Sequence, residues 1–139
     1  MSIKRTTLLA VVASGLLVVS PAAAGSTATI TINHEMKGCH MWQLGSGKLR
    51  PNLTVTLKAG TTVRFVNDDI MPHLLIQQSG PKLRLVHPNM NRLSAVATTK
   101  LTRKGTYRFT TKAGEDYAMF VGHKTIGEDY VLHLTVHVK

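Results

Sequence analysis

Apolar and polar residues alternate along much of this chain with a period of two, which predicts β-strands. Leu53, Val55 and Leu57 alternate with threonines, and Val63 and Phe65 fall on one side of the next segment. Gly, Pro, Asn and Asp pairs separate these segments, and no helical period stands out beyond the N-terminal segment. Short strands at this spacing predict an all-β sandwich or barrel. The predicted strands are 27–32, 53–57, 61–67, 73–77, 106–111 and 130–138.

In the last predicted strand, alternation shows which face each histidine takes. Alternation places one set of side chains on the core face: Tyr130, Leu132, Leu134, Val136 and Val138. His133 and His137 take the other face, about 13 Å apart at the rise of a strand. That separation is too large for one metal ion, so we expect both to be surface residues.

The N-terminus has the order of a secretory signal. Lys4 and Arg5 precede an uncharged apolar run at 7–19, and small residues at Ala22 and Ala24 form a cleavage pattern. We therefore expect a signal peptide at 1–24, a single domain at 25–139, and a periplasmic or extracellular location. The apolar run is too short for a membrane span, so stable membrane insertion is not expected.

The chain is strongly basic, with 17 Lys and Arg against seven Asp and Glu. Removal of residues 1–24 would take away two of the basic residues and leave a net charge of about +8. Such a charge favours anionic surfaces or an acidic partner protein. Nucleic acid is not expected, because the charges are scattered and aromatic residues do not interleave with a basic stripe.

The segment HEMKGCHMW at 34–42 concentrates the side chains that bind soft metals. It holds the only cysteine of the chain, Cys39, beside His34, Met36, His40 and Met41. An exported protein normally pairs its cysteines, and a single cysteine cannot pair within its own chain. Its neighbours favour a metal ligand over a buried, inert thiol.

AGTTVRFVNDDIMPHLLI at 59–76 has a Gly turn, a predicted strand ending in Asn, and a Pro-His pair that opens the next predicted strand. KGTYRFTT at 104–111 contains Gly-Thr-Tyr-x-Phe. These two blocks resemble the cupredoxins, the small blue-copper family that includes plastocyanin, in which the second block precedes the ligand loop. The resemblance covers most of 27–139. It implies a cupredoxin-like Greek-key β-sandwich, with His73 as a copper ligand.

The chain departs from the family at the ligand loop. The position of the family's ligand cysteine is occupied by Thr111, and the following loop contains Met119 and His123 but no thiol. In the family's topology the loop after the first strand lies at the copper end. The resemblance therefore implies that residues 33–42 could bring Cys39 close to His73.

We expect one copper ion bound by Cys39, His40, His73 and Met90. Two imidazoles and a thiolate with a weak axial thioether are the ligands of a blue-copper site. Cys39 and His40 can share an ion only in a loop, because neighbours on a regular strand point to opposite faces. In a regular strand, His34 or Met36 would be the better ligand. Other residues that could replace a listed ligand are His87, Met119 and His123.

Three functions follow from this interpretation. The first is electron transfer, with the basic surface docking an acidic redox partner. The second is copper storage or delivery, with 34–41 as a soft-ligand arm for Cu(I). The third is a metal-free sandwich that binds anionic partners. We expect a monomer and no enzyme, because G-x-S-x-G and H-E-x-x-H are absent and adjacent Cys39 and His40 make a poor nucleophile–base pair.

Overall fold

A computed structural model describes residues 25–36, 39–113 and 131–139, in which nine β-strands and no helix occur. The strands are β1 (Thr27–Glu35), β2 (Cys39–Leu44), β3 (Asn52–Leu57), β4 (Thr62–Asp68), β5 (His73–Ser79), β6 (Asn89–Met90), β7 (Val96–Lys100), β8 (Gly105–Ala113) and β9 (His133–Val138). All six predicted strands are present with shifted ends. The predicted signal peptide at 1–24 lies outside the described residues.

The strands form two sheets that pack face to face. One has the order β2-β1-β4-β7 and the other the order β3-β9-β8-β5-β6. β1 pairs with β4 and β3 pairs with β9 in parallel, so both pairs need crossover connections between the sheets. The all-β sandwich is therefore confirmed. Within the described ranges, no helix has the length and apolar character needed to cross a membrane.

The core lies between the sheets and follows the predicted alternation. Trp42 and Phe65 from one sheet and Phe109 from the other are buried, with Phe65 in ring contact with both. In β9, residues Leu134, Val136 and Val138 face this core, and Leu132 just before it is also buried. His133 is exposed and His137 half-buried on the opposite side. The predicted sorting of the last strand is confirmed for the residues described.

The sequence predicts a loop at residues 33–42, and the structure shows a hairpin instead. His34 and Glu35 belong to β1, and β2 begins at Cys39, so His34 lies opposite His40 and Glu35 opposite Cys39. His40 and Trp42 are buried in β2, whereas Cys39 and Met41 are only half-buried. The loop prediction was wrong because His40, Trp42 and Leu44 alternate inward without the β-branched residues that usually mark a strand.

The sandwich has two ends, which we call upper and lower. At the upper end β1 and β4 finish near Glu35 and Asp68, and β2 and β5 begin at Cys39 and His73. At the lower end β3, β5, β7 and β9 finish, and β4 and β8 begin. The residues of HEMKGCHMW and the Pro-His block therefore meet at the same end of the fold.

Candidate metal site

Asp69 occupies the centre of the upper end, and histidine side chains surround its buried carboxylate. His73 Nε2 lies 2.9 Å from Asp69 Oδ2, and His40 Nδ1 lies 3.6 Å from the same oxygen. His34 Nδ1 lies 3.0 Å from the other oxygen, Oδ1. The side chains of Asp69 and His73 are completely buried and that of His40 nearly so, whereas His34 is 45% exposed. One carboxylate thus contacts three imidazoles at the edge of the core.

Strand geometry brings these histidines together. His34 and His40 are directly opposite each other on β1 and β2, so their side chains share the inner face of the sheet. His73 is the first residue of β5, in the other sheet, and follows Pro72, which cannot donate to a ladder and suits a strand start. The rings of His40 and His73 meet edge to face, with centroids 4.9 Å apart. The site therefore bridges the two sheets.

Asn67 holds the loop that carries Asp69. Its side-chain Nδ2 donates hydrogen bonds to the carbonyl oxygens of Met71, Met90 and Arg92, at 2.8, 3.0 and 3.3 Å. Its Oδ1 accepts a bond from the backbone amide of Asp69. Because the Asn67 side chain is buried, these bonds fix two upper loops against each other and set the position of the Asp69 carboxylate.

The Asp69 carboxyl is held in its ionised form. Burial alone would raise its pKa. Hydrogen bonding from His40 and His73, and from the backbone amide of Met71, outweighs burial, so the pKa of Asp69 lies well below the usual value for aspartate. A buried negative charge at this position will attract a cation.

Three of these side chains have the geometry of metal ligands. His40, Asp69 and His73 each offer a ligand atom, and these atoms all lie within 4.8 Å of one another. Ligands at about 2.0–2.1 Å from one ion are about 2.9–3.6 Å apart for bond angles between a right angle and a trigonal one. The two measured distances to Asp69 Oδ2, 2.9 and 3.6 Å, fall at the limits of that range. The two separations that involve Asp69 therefore match those expected around a single ion.

Thr111 is the neighbour of His73 on the far side of its ring. Its Oγ1 lies 3.1 Å from His73 Nδ1, at the position where the cupredoxin resemblance places a cysteine ligand. A hydroxyl can donate to a neutral imidazole nitrogen or accept from a protonated one. Thr111 can therefore orient His73 both when Nε2 carries a proton toward Asp69 and when Nε2 is free to bind a metal.

The four predicted ligands all lie at the upper end of the sandwich. His40 and His73 belong to the group around Asp69. Met90 is fully buried in β6 and pairs with His73 across the ladder. Cys39 begins β2 with a left-handed backbone φ of 57° and is half-buried. In the described part of the chain the group includes no thiol, so coordination by Cys39 and Met90 stays a prediction.

The alternative ligands are spread around the same end. His34, the better candidate ligand if Cys39 lies in a regular strand, contacts Asp69. Met36 is fully exposed in the turn after β1, and His87 is exposed beyond β5, before β6. Met119 and His123 lie outside the described residues.

The sequence did not identify Asp69 as a residue of the site. Asn67, Asp68 and Asp69 together were interpreted as a turn, because these residue types dominate turns. The available signal was the carboxylate four residues before the histidine of the Pro-His block. Alternation could not show that Asp69, which follows the last residue of β4, turns inward while Asp68 is exposed.

No protein-family model and no curated protein matches this sequence. Among solved structures, a variant of the multicopper oxidase McoA from the hyperthermophile Aquifex aeolicus superposes with a TM-score of 0.50 at 14% identity. The match covers 83% of this chain and 27% of the oxidase, so the chain spans about a quarter of that protein's length. Together with the two-sheet topology, this superposition shows a cupredoxin-like fold, as the sequence predicts.

Two further solved structures are similar at lower TM-scores. A purple cupredoxin from Nitrosopumilus maritimus gives a TM-score of 0.47 at 18% identity, covering 78% of this chain and 98% of that one. A methionine-to-alanine variant of amicyanin with Cu(I) gives 0.42 at 18% identity, covering 86% of this chain and 87% of that one. At these identities the likenesses concern the fold and carry no information about the site.

Proposed function

We propose that this protein binds one copper ion at His40, Asp69 and His73 and serves as an exported electron carrier. The observation that supports the proposal is the buried group of two imidazoles and a carboxylate whose ligand atoms lie within 4.8 Å of one another. His34, which contacts the other Asp69 oxygen, is the available fourth donor. The sequence at 59–76, with its cupredoxin-like Pro-His block, favours copper as the ion.

The donor chemistry also favours copper. Imidazole binds copper, zinc, iron and nickel, and copper(II) has the highest affinity among divalent first-row metals for a given nitrogen and oxygen site. A carboxylate donor stabilises Cu(II) relative to Cu(I), so we expect a lower reduction potential than a site built from sulfur and imidazole would give. Bound copper would supply a one-electron couple.

The protein supplies a site that is arranged before the metal binds. Asn67 fixes Asp69, Thr111 contacts His73, and the β1–β2 ladder places His34 opposite His40. Ligands held in this way change position little when the charge of the ion changes. Small rearrangement is what an electron-transfer site requires, and it favours this role over a flexible metal carrier.

Titration with Cu(II) and electron-spin spectra will test the proposal. We expect one equivalent to bind to the chelator-treated protein, with nitrogen couplings from imidazole. His73→Gln and Asp69→Asn should each weaken binding at least tenfold, since loss of a ligand costs more than loss of its supporting bonds. The matched control is His133→Gln, an exposed histidine on β9. Equal affinity in all four proteins would exclude this site.

The visible spectrum tests whether Cys39 is a ligand of the bound copper. A thiolate bound to Cu(II) gives an intense visible band, and loss of that band in Cys39→Ser would add Cys39 to the ligands. An unchanged, weakly coloured spectrum in Cys39→Ser would limit the site to imidazole and carboxylate donors. Reversible reduction of the bound copper at an electrode would support electron transfer, and an irreversible loss of copper on reduction would argue against it.

Copper delivery is a second candidate, favoured by the soft side chains beside the site. Met36 is fully exposed in the β1–β2 connection, and Cys39 follows on the next strand. Thioether and thiolate together select Cu(I). A colourless protein that holds Cu(I), and loses it when Met36 and Cys39 are both replaced, would favour delivery over electron transfer.

A further inference from the structure

The acidic residues of the described ranges are confined to one end of the sandwich. Glu35, Asp68 and Asp69, the acidic residues within the described ranges, all lie at the upper end. The other four of the seven acidic residues in the chain lie in the 114–130 segment, outside the described residues. No aspartate or glutamate occurs in the described lower-end segments.

The lower end carries a dense set of cations. Its members are all exposed and lie on the segments that connect the lower ends of the strands: Lys58, Lys82, Arg84, Lys100, Arg103, Lys104 and Lys139. Every ion pair found among the described residues involves Asp69, so these seven cations have no carboxylate partner there. We call this set the basic end.

Hydrogen bonds join these segments into one surface. The amide of Ala59 donates to the carbonyl of Lys139, and the amide of Gly60 donates to that of Leu101. Gly105 pairs with Val138 and packs so closely on Pro81 that a Cβ at Gly105 would lie 3.3 Å from the proline ring. The cations are therefore carried by a fixed platform built from both sheets.

A shallow groove lies on the β7 side of the basic end. Lys82, Arg84 and Lys100 line it, together with hydroxyls of four threonines and no acidic side chain. Its volume is about 390 Å³. The segment beside it is anchored to β7 by two backbone bonds between Val86 and Thr98 and by Thr99 Oγ1 donating to the Arg84 carbonyl. Three cations around one groove can contact a phosphate group from several sides.

We propose that the basic end docks onto an anionic phospholipid bilayer and so directs the metal site away from the membrane. Lysine and arginine near an anionic surface attract it additively, at about fivefold in affinity for each cation. A protein partner of comparable affinity would need buried apolar or aromatic anchors. Among described residues, four of the five exposed large apolar side chains lie at the upper end, and only Val86 borders the basic end. The four are Met36, Ile70, Leu93 and Val131.

Vesicle binding by two charge-matched variants tests the proposal. One variant replaces three cations of the basic end with glutamine, at Lys82, Lys100 and Lys104. The control replaces three exposed cations away from that end, at Arg50, Arg92 and Lys112. Both variants lose three charges and carry the same residues 1–24 as the parent, so any contribution of that segment cancels. Thermal unfolding confirms that both are folded.

The probes are equimolar phosphatidylglycerol–phosphatidylcholine vesicles, pure phosphatidylcholine vesicles and soluble polyglutamate. We expect binding to the anionic vesicles only, a loss of more than a hundredfold in the basic-end variant, and less than tenfold in the control. Binding should disappear in 0.5 M salt, where the Debye length is about 4 Å. Equal losses in both variants would overturn the proposal, because net charge alone would then explain binding. Tighter binding to polyglutamate would overturn it in favour of an acidic protein.

Orientation is tested with a fluorophore placed at either end. Thr102→Cys at the lower end and Met36→Cys at the upper end are both exposed positions, and each is combined with Cys39→Ser. Quenching by spin-labelled lipid should affect the probe at 102 and spare the probe at 36, and the reverse would refute the orientation. Because the protein is used without metal, these results are independent of copper binding.

Discussion

Replacement of Asp69 with Asn removes the charge at the centre of the upper end with almost no change of shape. The carboxylate is fully buried, accepts a bond from the Met71 amide and lies within 3.0 Å of His34 and His73 nitrogens. An amide retains one acceptor oxygen but turns an NH₂ group toward an imidazole. Breaking a buried charged network by removing one partner costs about 3–5 kcal/mol. We take about 3 kcal/mol, because the asparagine keeps the Met71 bond.

The pH dependence of this cost has a definite sign. The pKa of Asp69 is lowered in the folded protein, so its stabilising effect is complete above the usual aspartate pKa of about 4 and is lost as pH falls through the folded-state value. The difference between the parent and Asp69→Asn should therefore shrink as pH falls below about 4.

The assay is urea and thermal unfolding of the chelator-treated proteins at several pH values. A loss of 3 kcal/mol corresponds to a decrease in Tm of about 10–15 °C for a domain of this size. Asp68→Asn is the matched control, since Asp68 is the adjacent residue and is exposed, and it should cost less than about 0.5 kcal/mol. Equal stability of the two variants, or a difference that persists unchanged at pH 3, would refute the assignment of Asp69 as a buried, ionised centre.

Three other substitutions test separate parts of the structure. Thr111→Val removes the hydroxyl that holds His73 Nδ1 and should weaken Cu(II) binding about tenfold, whereas Thr54→Val at an exposed position should leave it unchanged; equal affinities would contradict the positioning role of Thr111. Asn67→Ala removes three bonds to loop carbonyls and should cost about 3 kcal/mol in urea unfolding, whereas exposed Asn91→Ala should cost less than about 0.5 kcal/mol. Gly80→Ala should be much more destabilising than Gly60→Ala, because both have positive φ but only at Gly80 would a Cβ meet a backbone oxygen, at 2.5 Å; equal Tm values would argue against this contact.

Alternation predicted the strands that have one face in the core and one in solvent. β3 and β9 show the buried–exposed alternation that the sequence carries. β2 was missed because its inward residues are His40, Trp42 and Leu44, a set that suggests chemistry more than strand formation. β6 is only two residues long and β7 is rich in Ala and Thr, so neither contains a pattern long enough to recognise.

The site was predicted in part, because spacing along the chain shows which residues reach one end but not which way they point. His40 and His73 were chosen from a resemblance and a topological argument, and the structure brings them together. Cys39 begins β2 with a left-handed φ, so the alternation of a regular strand does not predict where its side chain points. Asp69 directs its carboxylate inward because its backbone amide donates to Asn67 Oδ1 and its own Oδ1 accepts a bond from the Met71 amide. Composition does not show the effect of these residues on a turn.

The same strand topology keeps the two ends independent of each other. β4 runs from the basic end to Asn67 and Asp68 over seven residues, which corresponds to about 20 Å at the rise of a strand. That distance is more than two Debye lengths at physiological ionic strength, about 8 Å each, so the exposed cations below are largely screened from Asp69. The interior between them is packed with Trp42, Phe65 and Phe109 and fixes the upper residues without help from the lower loops. Neutralising the three cations at the basic end should therefore change membrane docking while leaving the stability contribution of Asp69 and the metal affinity of the site the same.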